Sequence, residues 1–325
     1  MNISKKETLI LKAVSALFVL INHMVDWLFR GVVSDVYVIE FFGRLSDVGM
    51  FLFLFMSGYG LYKSYCNDNL DGYWEKKIER IYIPLLFANI IGALTYHLIL
   101  NHKSDRAMIL FGIISKEFII YNPVTWYLHY LFYWYLIFWI IHRFVKHQKC
   151  RIVFLCIFSA VMWYFTPETY GLANEYCLAF FLGGIISIFD SAYQKNLIIF
   201  PSGIVCFSAM VVWFRDMSHS VGLYTLNFFV YSFLTNLFLF VSAMMIIYIV
   251  KQIVLENSKA SIILCKLGEY SLGIYLLQEP VIKTAIYAAD DMLLKIIFAA
   301  VGFFICIFLS DIYKRIVKKL LIRTV

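Results

Sequence analysis

Two ionisable side chains interrupt the first apolar segment of the chain, Lys12 and then, after ten further residues, His23. Histidine can take up and return a proton near neutral pH, or briefly carry an acyl group, and the lysine ammonium holds an anion as a point charge. On a helix this spacing is about three turns, so both side chains leave one face and lie about 16 Å apart along the axis. Ionisable groups inside a bilayer are costly and are retained for function. The competing reading is a snorkelling lysine and a hydrogen-bonded bundle histidine. Asp26 stands one turn beyond His23. It is a candidate to orient the imidazole, as the acid of a triad does, unless it simply marks the outer end of the helix.

A second basic pair, Lys77 and Arg80, leads into Tyr82 and Pro84. Spacing i,i+3 predicts one helical face for the two cations. With Lys12 they make three cations at one depth, enough to hold a phosphorylated ligand, the arginine as a planar fork. Anchoring to lipid phosphates is the alternative. Asp47 falls near the opposite mouth, where it could meet an acceptor, although a loop carboxylate is the default. Ser57 precedes Gly58, a pair that marks close helix packing, and Trp126 and Tyr127 read as interfacial aromatics. Ser57, Tyr82 and Trp126 are therefore expected as supports close to the site, and His129 as a satisfied bundle histidine.

The elements that must position these residues are membrane helices. Of the 325 residues, 62% are hydrophobic and 15% charged, against about 25% charged in a soluble domain. Mean hydropathy is +0.79. Composition therefore predicts an all-α integral membrane protein, residues 1–325 forming a single membrane domain with no appended soluble domain. About ten transmembrane helices are expected, near 9–29, 48–65, 81–101, 124–142, 152–166, 175–190, 196–214, 226–250, 261–283 and 293–313. Residues 107–121 are apolar but short and read as an interfacial or re-entrant helix. The apolar run after Lys5 and Lys6 is too long for a cleaved signal, so the first helix is expected to be retained. Most of the 28 lysines and arginines fall in the loops on the side of the two termini, which predicts both termini in the cytoplasm. Lys12 then faces the cytoplasm, and His23 lies past the bilayer centre. This topology accounts for most of the +7 charge, so no nucleic-acid partner is expected. Seven scattered cysteines without a CxxC predict neither a disulfide framework nor a metal site, only small core side chains.

In order along the chain, these segments resemble the bacterial membrane acyltransferase-3 family. Lys12 and His23 match its first-helix basic residue and histidine. Phe51 to Tyr59 resembles its phenylalanine-rich second helix ending in Ser-Gly-Phe. Lys77, Arg80, Tyr82 and Pro84 match a basic pair before Tyr-x-Pro, and Trp126-Tyr127-Leu128 matches Trp-Phe-Leu. Ser271 to Val281 is similar to a late Ser-x-x-x-Tyr-Leu-x-His-x-Pro run. The likeness extends from about residue 8 to 315. It departs at Lys77, where a second arginine is usual, at Phe51, where the family often has Asp or Pro, and at Gln278, which replaces the late histidine. The resemblance implies O-acylation of a cell-surface or cell-wall carbohydrate or glycolipid in the bacterial inner membrane, with acetyl-CoA as donor and no metal. It implies His23 as the catalytic residue and Lys12, Lys77 and Arg80 as the grip on the donor; Asp26 joins His23 as a catalytic candidate only by its spacing. A multi-pass transporter or flippase for a sugar or organic anion is the rival class. No inverted repeat or pair of broken helices, as many transporters carry, is legible in the sequence. Oligomeric state is left open.

Overall fold

The computed structural model describes residues 2–29, 36–98, 122–165, 171–188, 199–212, 226–255 and 258–322. All regular structure among them is helical. The α-helices are α1 (Lys5–Phe29), α2 (Val36–Asp68), α3 (Tyr73–Lys77), α4 (Ile83–Leu98), α5 (Trp126–Phe144), α6 (Gln148–Phe165), α7 (Ala179–Ile188), α8 (Ile199–Val212), α9 (Leu226–Leu255), α10 (Lys259–Leu277), α11 (Thr284–Tyr287) and α12 (Met292–Ile322). Short 3-10 helices cover Pro123–Thr125 and Gly171–Tyr176. The segment 107–121 lies outside the described residues.

Proline sets two local departures. Pro123 and Pro201 sit in the opening turns of their elements, where no N–H bond is yet required. Pro84 and Pro280 fall within continuous helical stretches, and at both the winding widens into a π turn, Ile78–Tyr82 and Gln278–Lys283. A proline lacks the N–H owed to the carbonyl four residues back, and its ring crowds that carbonyl. The rest of each helix keeps ordinary geometry. Such wide turns recur at functional positions.

Six described helical stretches are long and apolar enough to cross a membrane: Lys5–Phe29, Tyr73–Thr95, Pro123–Phe144, Leu226–Val254, Lys259–Tyr287 and Met292–Ile316. Asn174–Ile188 and Ile199–Val212 are apolar but shorter. On α12, Leu293, Phe304 and Phe308 are more than half exposed, as expected of side chains that face lipid. The chain is thus a multi-pass membrane protein. The cysteines are all free, with Cys177 and Cys306 buried but Cys66, Cys150 and Cys156 exposed, so fewer are core residues than their apolar segments suggest.

The described chain forms two compact units. The first comprises 1–22, 34–71 and 129–268, the second 23–33, 72–128 and 269–325. In the first, α2 packs along α7. A Cβ on Gly58 would strike the carbonyl oxygen of Phe180, and one on Gly183 that of Phe55. The two backbones touch because neither residue has a side chain. Trp134 stacks on Phe180 with centroids 4.9 Å apart, filling the space beside that contact. Lys251 Nζ ties the start of the chain to α9, donating to the Asn2 carbonyl at 2.6 Å and pairing with Glu7.

In the second unit, Tyr275 donates to the Val124 carbonyl and the Gln278–Lys283 turn packs on α4 and α12. Tyr313 on α12 donates to the Glu79 carbonyl at 3.0 Å, bracing the other wide turn.

Candidate functional site

His23 is half-buried near the end of α1, within the second unit. Its imidazole stacks on Trp27, with ring centroids 5.3 Å apart and planes 10° apart. The helix places these rings on one face because they are four residues apart. Three charged groups of the same unit bear on the charge of His23: Glu279, Asp26 and Lys283. Glu279 is buried on the wide turn and forms an ion pair with Lys283, one turn further on. A histidine stacked on an aromatic ring and within the field of carboxylates has what a general base or acyl carrier needs: a fixed ring and a counter-charge.

The wide turn carrying Glu279 is completed by an amide from elsewhere in the unit. Pro280 cannot bond the carbonyl of Leu276, and Asn122 Nδ2 donates to that oxygen at 2.8 Å instead. Gln278 Nε2 donates to the next carbonyl back, Tyr275, at 3.0 Å. Each amide thereby commits its nitrogen and leaves its oxygen over. Asn122 Oδ1 and Gln278 Oε1 are buried without a hydrogen-bond partner among the described residues. So are both polar atoms of Asn89, a fully buried residue of α4. Left so, each such group costs about 1–3 kcal/mol. Each of the orphan oxygens is able to accept an N–H group, such as that of an amide.

The basic pair is also in the second unit. Lys77 ends α3, partly buried, with Nζ 5.5 Å from the centroid of the Tyr73 ring, and Arg80 is exposed on the π turn that follows. The turn joining them is wider than an α-helix, so the i,i+3 rule does not set their relation. Tyr82, 41% exposed, closes the same turn. Trp126 is half-buried, with its ring edge-on to Tyr127 at 6.2 Å.

Lys12, Asp47 and Ser57 belong to the first unit. Lys12 is exposed on α1. Ser57 Oγ donates to the Phe53 carbonyl at 2.8 Å, beside the Gly58 contact. Asp47 accepts from Arg44 at 3.1 Å and from the Tyr176 hydroxyl at 2.6 Å, so its oxygens are engaged by side chains of its own unit.

Sequence reasoning missed Glu279, Asn122 and Asn89. Glu279 stood in view, next to the glutamine that replaces the expected histidine. The proline beside it was the signal that a partner must serve the Leu276 carbonyl. Asn89 carries no signal beyond being a carboxamide in an apolar run. Among the described residues no three histidine, cysteine or carboxylate side chains are grouped to hold a metal ion.

In comparisons with known proteins, a family described as an acyltransferase domain matches residues 10–315. No curated protein and no solved structure matches the chain.

Proposed function

Because the chain belongs to this acyltransferase family, matched over nearly its whole length, we propose that it is a membrane O-acyltransferase of the bacterial inner membrane. In this reading an acyl group, acetyl by resemblance, passes from cytoplasmic acyl-CoA to a hydroxyl of a cell-envelope carbohydrate or glycolipid. Ten spans with both termini cytoplasmic are part of the proposal and rest on the bias of basic residues.

The observation that carries the reading is His23 stacked on Trp27 in a unit that also brings the carboxylates of Asp26 and buried Glu279 to bear on its charge. His23 takes the proton of the attacking hydroxyl as its oxygen forms a bond to the thioester carbonyl. The carbon–sulfur bond breaks, and the thiolate leaves with that proton as free CoA thiol. The alternative route has the imidazole accept the acyl group first and release it to the hydroxyl. Glu279 and Asp26 orient the ring and stabilise its charged form. Lys12, Lys77 and Arg80 hold the phosphates of the donor. The spare amide oxygens of Asn122 and Gln278, with Asn89, suit the two amide N–H groups of a pantetheine arm.

Wide turns beside Pro84 and Pro280 also suit a transporter, and donor dependence separates the classes. Membranes bearing the protein should release CoA from acetyl-CoA, and surface glycans should lose one acetyl mass in a His23→Ala strain. No CoA release, with an unchanged glycan in that strain, overturns the enzyme reading. Lys77→Ala with Arg80→Ala should raise the donor KM.

A further inference from the structure

The first unit contains a second polar centre that the acyl-transfer step does not use. Arg44, buried on α2, donates from Nε to Glu40 at 2.7 Å and from Nη1 to Asp47 at 3.1 Å and Glu175 at 3.3 Å. Its Nη2 donates to the Tyr231 hydroxyl at 3.0 Å. Beside it Asn174 Nδ2 and Trp163 Nε1 both donate to Ser232 Oγ, at 2.7 and 2.9 Å. Asn236 Nδ2 donates to the Asn174 carbonyl at 3.0 Å. Two acceptors on consecutive residues remain unserved. Glu175 Oε1 and Asn174 Oδ1 have no partner among the described residues, and each residue is 1% exposed.

The chemistry of what is left over selects the ligand. Four of the five N–H groups of Arg44 are committed. Three carboxylates face one guanidinium, so the centre carries excess negative charge when all are ionised. In that state it repels phosphate and presents acceptors. The carboxylates ring the guanidinium and not an open point, and among the described residues no such trio is set to hold a metal ion. A ligand rich in hydroxyl donors fits both the charge and the unserved oxygens. Glu40 and Asp47, whose side chains are 20% and 15% exposed, are the members of the centre that solvent reaches.

We propose that this centre is the acceptor subsite: a glycan hydroxyl donates to Glu175 Oε1 and another to Asn174 Oδ1, with Arg44 holding the carboxylates in place. The inference rests on the O-acyltransferase reading. In the orientation proposed above, α2, the Gly171–Tyr176 turn and α9 all start from the extracytoplasmic side, where such an acceptor arrives.

The test uses purified full-length protein in lipid nanodiscs, acetyl-CoA, and surface polysaccharide from cells lacking the gene. Glu175→Gln, of the same size, should raise the polysaccharide KM by at least about tenfold, the loss of a charge-assisted hydrogen bond, with the acetyl-CoA KM moving less than about twofold. An unchanged polysaccharide KM overturns the subsite. Hydrogen exchange on the unmutated protein is independent of any folding defect in the variant. Polysaccharide should slow exchange in 174–178 and 228–236, and inorganic phosphate should not. Protection by calcium chloride alone, or none with polysaccharide, also overturns it. If the unmutated protein releases no CoA, the parent reading fails instead.

Discussion

His23 and Trp27 lie face to face, centroids 5.3 Å apart and planes 10° apart, on successive turns of one helix. A stack of this kind holds the imidazole plane and leaves the ring edge, with its nitrogens, for chemistry. Trp27→Ala should lower kcat by about tenfold to a hundredfold, the scale set by misplacing a reacting group by about 1 Å, with little effect on donor KM. Trp27→Phe keeps a stacking partner and should restore most of the rate. Equal losses in the two variants would remove the orienting role. Steady-state CoA release measures both.

Glu279 and Asp26 both bear on the charge of His23, but Glu279 is buried whereas Asp26 is partly exposed, so water screens the Glu279 charge less. Glu279→Gln should therefore cost more rate than Asp26→Asn, about 10- to 100-fold for a carboxylate that orients a reactive histidine. The reverse ranking would return the orienting role to the residue that sequence spacing favours. Because Lys283 pairs with Glu279, Lys283→Met should also disturb the rate, and the double variant should lose less than the product of the two single losses.

Much of the fold was legible because lipid demands long apolar helices, and the apolar runs between loops mark them directly. The close approach announced by Ser57-Gly58 is present, with Phe180 as its partner. Lys12 and His23 could be picked out because charge is rare in such runs. The surroundings of His23 were less legible. Glu279 follows it by more than two hundred residues, and no local period links the two. The wide turns were hidden for another reason: a proline announces a missing bond but does not say which side chain replaces it. Asn122 supplies that bond from a different segment, which spacing rules cannot reach. Arg44 could have been suspected from Glu40 and Asp47, one turn to either side, but Glu175 and Tyr231 join it only through tertiary packing.

Asn122 should be a stability residue as much as a binding one. Its Nδ2 serves the Leu276 carbonyl that Pro280 leaves open. Asn122→Ala should cost about 1–3 kcal/mol, the expense of stranding a buried carbonyl, seen as a lower Tm in detergent. Adding Pro280→Ala restores an N–H to bond Leu276 and should recover part of that loss. No recovery would mean that the wide turn has another cause.

The adjacent glycines of α7 should respond in opposite ways to the same change. Gly183 meets the Phe55 carbonyl so closely that a methyl group has no room, whereas Gly184 has nothing within 4 Å of where its Cβ would lie. Gly183→Ala must push α2 and α7 apart and should cost about 1–3 kcal/mol, the usual scale for overpacking. Gly184→Ala relieves the conformational freedom of glycine in a helix without a clash and should gain up to about 1 kcal/mol. The two variants differ by one position and share their chemistry, so propensity alone predicts the same sign for both. Thermal unfolding of each in the same detergent distinguishes the explanations. If Gly183→Ala melts with or above the unmodified protein, the backbone contact between α2 and α7 does not hold the first unit together.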